Sequence, residues 1–273
     1  MGKMVENIRV EIFKRTLNFF RKIFILGSFS VVFSVFLLGC NSDKGWDCIQ
    51  TSGNIVETEV TVPLFSKIIT WERTRVFLKQ GAEQKVLVET GENLMTDVEI
   101  TVINGALNIR NYNDCNYVRD YGLVKIYVTT PNITEIRSST GYPIESIGRL
   151  KFPSLSLVSE DFEKEDQFNT SGDFKLDLEV DQLNIVANGL SKFYLSGSAT
   201  KASFGLFSGD CRIYSQDLII QDLNIYHRST GPMLVNPQQS ITGKIVSLGN
   251  VISKTRPAIV EVEELYRGRL IFE

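Results

Sequence analysis

The group with the most specific chemistry in this chain is the thiol of Cys40. It directly follows Leu37-Leu38-Gly39, closes an uncharged apolar run that begins at Ile23, and lies behind a basic leader carrying Lys14, Arg15, Arg21 and Lys22. A positive leader, a short apolar stretch and small residues at the cut describe a secretory signal peptide, and a cysteine at that boundary resembles the lipobox of bacterial lipoproteins. The chemistry implied is acylation of Cys40, with each buried methylene contributing about 0.8 kcal/mol to membrane attachment. An uncleaved transmembrane anchor is the competing reading. As a helix, Ile23 to Gly39 rises only about 25 Å, short of the roughly 30 Å hydrocarbon core. The expected layout is therefore a signal peptide over 1–39, a lipidated cysteine and tether over 40–55, and one folded domain over 56–273. Asn41 after the cysteine resembles lipoproteins sent to the outer membrane, and Asp43 is a weak version of an acidic surface-export tether.

The remaining cysteines, Cys48, Cys115 and Cys211, then face an oxidising compartment where a disulfide persists. Cys48 and Cys115 both lie in polar loop sequence and are the expected pair, with Cys211, in strand-like sequence, left over; three unpaired thiols is the alternative. No Cys-x-x-Cys occurs and His227 is the single histidine, which argues against zinc.

Recognition chemistry concentrates in Asn111-Tyr112-Asn113-Asp114-Cys115-Asn116-Tyr117-Val118-Arg119-Asp120-Tyr121. Aromatic faces among amides and charges suit sugar or peptide contacts, so Tyr112, Tyr117, Arg119 and Tyr121 are the candidate ligand-binding residues. The competing role is space filling beside the disulfide. Catalytic candidates are weaker. Asp173, Asp177, Glu179 and Asp181 lie two apart on one outward strand face and read as a solvated face rather than a glycosidase pair. The acidic stretch from Glu160 to Asp166 lacks the regular spacing and mid-loop glycine of a calcium loop and reads as a solvated insertion. His227 has no Gly-x-Ser-x-Gly elbow to accompany it and reads as a surface side chain. Ser138-Ser139-Thr140-Gly141 reads as a turn. Neither a catalytic centre, a metal nor a cofactor is expected.

Composition narrows the partners. Of 273 residues, the leader removes six basic side chains and two acidic ones, leaving about 23 basic and 30 acidic. An acidic chain without basic clusters lacks the footprint of nucleic-acid binding. Roughly 230 residues suffice for one large all-β domain or two small ones.

The elements that must position these groups are strands. β-Branched and aromatic residues alternate with polar ones over short runs broken by Gly, Asn, Asp and Ser, and helical periodicity is almost absent. The first half predicts strands at 56–62, 67–70, 75–79, 85–89, 97–102, 106–110 and 123–129, with turns at Gln80-Gly81, Thr90-Gly91, Asn104-Gly105 and Pro131-Asn132. In the second half, Leu183-Asn184-Ile185, Ala202-Ser203-Phe204, Leu223-Asn224-Ile225 and Ile241-Thr242-Gly243 recur about every 20 residues. A second series, Phe193-Tyr194-Leu195, Cys211-Arg212-Ile213 and Met233-Leu234-Val235, interleaves with it. A period near 20 with two or three short strands per period is what a parallel β-helix requires; an irregular β-sandwich is the alternative. A solenoid needs its ends covered. The strands before Thr130 are expected to form a denser N-terminal β cap, and 258–262 with 269–272 a C-terminal hairpin cap turning near Tyr266-Arg267-Gly268.

Ordered motifs carry a family resemblance. Phe65-Ser66-Lys67-Ile68, Val76-Phe77-Leu78-Lys79-Gln80-Gly81, Val88-Glu89-Thr90-Gly91-Glu92-Asn93-Leu94, Asn104-Gly105-Ala106-Leu107-Asn108-Ile109 and Val124-Lys125-Ile126-Tyr127-Val128-Thr129-Thr130-Pro131-Asn132-Ile133, followed by the Ser-Gly turn repeats, resemble the head GIN domain family, described as putative auto-transporter adhesins and common in lipoproteins of Bacteroidetes. The similarity covers about 56–250 and departs from the pattern at 150–167. It implies a right-handed parallel β-helix but no reaction, since the adhesin label rests on fold analogy.

Three functions compete. A non-enzymatic outer-membrane lipoprotein, surface-exposed and contacting glycan, matrix or envelope protein, fits the lipobox and the neutral repeat strands. A carbohydrate-active enzyme, a lyase or hydrolase, requires carboxylates converging in a cleft. A structural or sensory envelope subunit binds only protein.

Overall fold

The computed structural model describes residues 47–162 and 167–273. The leader, Cys40 and Glu163 to Asp166 lie outside the described residues. The chain is all-β: 17 strands join in one large sheet that does not close on itself.

Pairing is mostly parallel, between segments 17 to 21 residues apart from residue 174 onward. The first ladder runs β6 (Ala106–Asn111), β2 (Lys67–Thr70), β8 (Glu135–Ser138), β9 (Ile144–Ser159), β10 (Phe174–Ala187), β11 (Lys192–Leu206), β12 (Arg212–His227), β14 (Pro237–Ile245) and β16 (Ile259–Glu264). Leu107, Ile68, Ile136, Leu157, Ile185, Phe204 and Ile225 share one column of it, and all are buried. Nine strands at about 4.8 Å per step make the stack roughly 38 Å deep. A second ladder joins the starts of β9 through β12 to β13 (Met233–Val235), β15 (Val251–Ser253) and β17 (Leu270–Phe272) on one side and to β3 (Arg75–Gln80) and β7 (Lys125–Thr130) on the other.

Sequence alternation explains both burial and bending. Along β10, Phe174, Leu176, Leu178 and Val180 point inward in strict alternation, then Asp181 and Gln182 are both exposed and Leu183, Ile185 and Ala187 resume inside. Two outward residues in succession shift the period-2 phase, which keeps apolar residues inside only if the strand turns there. Inside, Phe174 and Phe193 stack at 4.9 Å with planes 6° apart. Close strand-to-strand approach demands glycine at Gly197 and Gly243, whose φ values are +103° and +123° and where a Cβ would meet the carbonyl oxygens of Leu178 and Ile225 at 1.9 Å.

The N-terminal end mixes directions. β5 (Val98–Ile103) pairs antiparallel with β6 through Asn104-Gly105, whose φ values of +51° and +74° fit a type I′ hairpin turn. β4 (Lys85–Gly91) pairs antiparallel with both β1 (Ile55–Val60) and β7.

Three expectations are corrected. The C-terminal hairpin does not form: β16 adds in parallel to β14 and β17 to β15, because 19 residues separate Ile241 from Val260 and Val251 from Leu270, the same repeat that precedes them. The second triplet series is out of register by two, since Ile213-Tyr214, not Cys211-Arg212, stacks on Phe193-Tyr194. The departure from the pattern, expected over 150–167 with the acidic stretch from Ser159 as its interruption, is narrower and starts after Ser159. Leu155 pairs with Leu183 and Leu157 with Ile185, so β9 continues the ladder as far as Ser159. That insertion is pinned by Phe168, which stacks on Trp71 at 5.1 Å, and by Phe162, edge-on to Phe207 at 5.4 Å. Arg110 and Arg137 cover the outer faces of Trp71 and Phe168 at 3.8 and 4.7 Å.

Candidate functional site

The tyrosine loop leaves β6 at Asn111 and enters β7 at Lys125. At the turn it is tied to the start of the described chain by a Cys48–Cys115 disulfide, the expected pair. Cys211 is free and buried, and burial pushes its thiol up to about 11.

A segment without strand partners must satisfy its own backbone, and here asparagines do so. Asn111 Oδ1 accepts from the Asn113 backbone N–H at 3.0 Å and its Nδ2 at 2.7 Å, while Asn111 Nδ2 donates to the Arg73 carbonyl at 2.9 Å. Asn116 Oδ1 accepts the Arg119 N–H at 2.9 Å, and Asn116 Nδ2 donates to the Arg119 carbonyl. Arg119 braces the loop from within: its guanidinium donates to the carbonyls of Gln50 at 3.1 Å and Cys115 at 2.9 Å, one on each side of the disulfide. Its geometry is that of a positioning residue.

The tyrosines take different places. Tyr112 is half exposed and donates its hydroxyl to Glu99 at 2.8 Å, and that hydrogen bond to the carboxylate raises the phenol above its ordinary value. Tyr117 and Tyr121 stand out at 80% and 78% exposure beside exposed Val118. The Tyr117 backbone donates to the Cys48 carbonyl at 3.0 Å, so the ring projects from a fixed point.

Below them lies a notch of about 50 Å³ lined by Leu94, Asn113, Tyr121, Gly122, Leu123 and Tyr142, among others. Gly122 has φ +72° and sits against the Tyr142 ring. Asn113 is buried. Its Nδ2 is spent on the Leu94 carbonyl at 3.1 Å and on Asn111, while its Oδ1 has no partner. Since both Nδ2 partners are acceptors, the amide orientation is fixed. Sequence reading singled out the tyrosines and missed Asn113, Gly122 and Tyr142. Asparagines at 111, 113 and 116, each suited to local backbone bonds, were the available signal for the first.

Two of the four carboxylates read as a solvated face are paired across the ladder. Asp177 meets Arg149 at 3.0 Å and Glu179 meets Lys151 at 2.9 Å, while Asp173 accepts the Lys192 backbone N–H. In the acidic insertion, Glu160 pairs with Arg137 at 2.7 Å and Asp161 accepts from Asn188. Thr140 donates to the Thr74 carbonyl and Ser139 Oγ accepts the Asn169 N–H. Among the described residues no cluster of three or more His, Cys, Asp or Glu is placed to hold a metal, and no helix is long and apolar enough to cross a membrane. His227 is a correction: it is fully buried in β12, on the inward phase of Leu223 and Ile225. Burial lowers it to about 4, and neither ring nitrogen has a hydrogen-bond partner.

A family model described as putative auto-transporter adhesin, head GIN domain, matches residues 64–257. No curated protein matches the chain. Among solved structures, a putative adhesin from Bacteroides fragilis aligns over 82% of this chain and 99% of its own with a TM-score of 0.71 at 16% identity. A putative adhesin from Parabacteroides merdae aligns over 81% and 98% with a TM-score of 0.56 at 17% identity. A putative lipid binding protein from Parabacteroides distasonis aligns over 80% and 97% with a TM-score of 0.51 at 17% identity. At these identities the likeness is one of fold.

Proposed function

This chain belongs to the head GIN domain family, and from that premise we propose that it is a non-catalytic adhesin of the cell envelope whose tyrosine loop binds a glycan or an envelope or matrix protein. The observation that carries the reading is the pair Tyr117 and Tyr121, held out at 80% and 78% exposure by a loop whose backbone is fixed by a disulfide and Arg119. Rigid aromatic anchors contribute contact area at low entropic cost, which is what a recognition surface needs. Binding is favoured over hydrolysis because Asp177 and Glu179 are engaged by Arg149 and Lys151 instead of facing each other across a cleft.

In this reading the ladders wind as a right-handed parallel β-helix, the antiparallel strands cap its N-terminal end, and acylated Cys40 tethers it to the outer membrane with the rod exposed at the surface. The repeat near 20 residues supports the winding, and the Leu37-Leu38-Gly39-Cys40 boundary supports the tether.

A screen of glycans and matrix proteins with residues 41–273, run beside Tyr117→Ala, tests ligand and site together. Retention of at least one ligand by the unmodified protein and its loss in the variant is the expected result; equal retention by both rejects the loop. Mass spectrometry of the membrane-extracted protein tests the anchor, and an unmodified amino terminus rejects it. Protease treatment of intact cells tests exposure, and protection until lysis rejects it.

A further inference from the structure

The last strand of the first ladder is unfinished. β16 hydrogen-bonds through one edge only, to β14, and no described strand meets its other edge. Along its ladder, the position of Val260 is filled by Leu183, Ala202, Leu223 and Ile241, all buried, yet Val260 is 36% exposed. Ile259, Leu265 and Tyr266 are exposed around it. A row of free backbone donors and acceptors beside apolar side chains is a template for strand addition.

The charge pattern of Ile259-Val260-Glu261-Val262-Glu263-Glu264 selects what can add. Val260 and Val262 belong to the inward phase, Ile259, Glu261 and Glu263 to the outward one. A second copy is disfavoured. Antiparallel pairing that keeps the inward residues inward opposes Glu261 to Glu261 when centred there and Glu261 to Glu263 when centred on Val262, while centring on Val260, which opposes Glu261 to Ile259, pairs only residues 259–261; parallel pairing in matched register opposes each glutamate to itself. Like charges directly opposed destabilise a strand pair, and opposite charges stabilise it. Lys244 already engages Glu263 at 3.4 Å and Arg269 engages Glu264 at 3.4 Å, while Glu261 has no cation within ion-pair distance among the described residues. An incoming strand therefore gains most from a cation opposite Glu261 and aliphatic side chains opposite Val260 and Val262.

We propose that the free edge of β16 is a second interaction surface, at the far end of the stack from the tyrosine loop, which receives by strand addition an extended partner segment alternating Lys or Arg with aliphatic residues. This surface is independent of the loop and of its ligand.

The test uses the full chain in mild detergent and a fluorescein-labelled peptide of alternating valine and lysine, with alternating valine and glutamate as the comparison. Anisotropy is expected to report binding of the lysine peptide only, and Glu261→Lys with Glu263→Lys is expected to weaken it about tenfold, as reversing two cross-strand pairs implies. Backbone amides of 259–264 are expected to gain hydrogen-exchange protection on binding, which diffuse electrostatic attraction does not produce. Absence of binding, equal binding of the glutamate peptide, unchanged affinity in the double variant, or binding without protection of 259–264 each overturns the proposal.

Discussion

His227 offers the sharpest test of the packing. It sits in the column of Leu206 and Ile245, fully buried, with neither ring nitrogen hydrogen-bonded. Burial depresses it from 6.5 to about 4, opposed by the Gly231 backbone, which approaches the ring without reaching hydrogen-bond geometry. The sign follows from linkage. The unfolded chain takes up a proton near pH 6.5 while the folded chain resists until about 4, so stability is intact above 6.5 and falls as pH drops toward 4. At 1.36 kcal/mol per pH unit, the shift removes about 2 kcal/mol by pH 5 and about 3 kcal/mol by pH 4. His227→Leu replaces the imidazole with a side chain matching Leu206. At pH 7 it is expected to stabilise by about 1 kcal/mol, since a buried polar atom without a partner costs about 1–3 kcal/mol. Between pH 7 and pH 5 the gap between variant and parent is expected to widen by about 2 kcal/mol. Urea unfolding of both proteins at the two pH values measures this, and comparing the pair cancels the titration of carboxylates common to both. A pH-independent difference, or a variant less stable than the parent at both values, refutes the reasoning.

Four further outcomes are expected. Cys48→Ser with Cys115→Ser lowers stability by roughly 4 kcal/mol in the chain-entropy account of a 67-residue loop, read as a lower urea midpoint. Gly243→Ala forces a Cβ onto the Ile225 carbonyl at a positive φ and costs about 2 kcal/mol or more, seen as a drop in Tm, while the same change at Gly105, where a Cβ meets nothing within 4 Å, costs less. Phe193→Ala removes half of a stacked pair buried in the core and costs about 3–5 kcal/mol by denaturant titration. Cys211 reacts with a thiol reagent at pH 8 only once denaturant is added, because burial blocks access and raises the thiol to about 11.

Local order was legible in the sequence, and long-range register only where the repeat is uninterrupted. The strand expected at 67–70 has those bounds, and its neighbours differ by a residue or two. Leu183, Ala202, Leu223 and Ile241 stack as their spacing implied. The second series slipped because Cys211 and Ile213 are both apolar and both buried, so alternation alone leaves the start of the triplet open, and the ladder seats Ile213 on Phe193. His227 looked like surface because Tyr226 and Arg228 flank it, although Leu223 and Ile225 already set the inward phase that includes 227. The closing hairpin was inferred from proximity, whereas the 19-residue repeat already pointed to parallel addition. In the loop, residue types were informative and orientations were not. Whether Arg119 faces solvent or braces the chain depends on where the Gln50 and Cys115 carbonyls lie, and that is decided by the disulfide and the fold around it.

Tyr117 and Tyr121 are the proposed binding surface. It is tested by the dissociation constant of the first ligand recovered from the screen, for the unmodified chain and for Tyr117→Ala with Tyr121→Ala, with Tm measured for both because Tyr121 donates its hydroxyl to the Asn116 carbonyl at 3.4 Å. Loss of hot-spot aromatics worth about 2 kcal/mol predicts an affinity at least about 30-fold weaker in the variant; an unchanged constant contradicts the account.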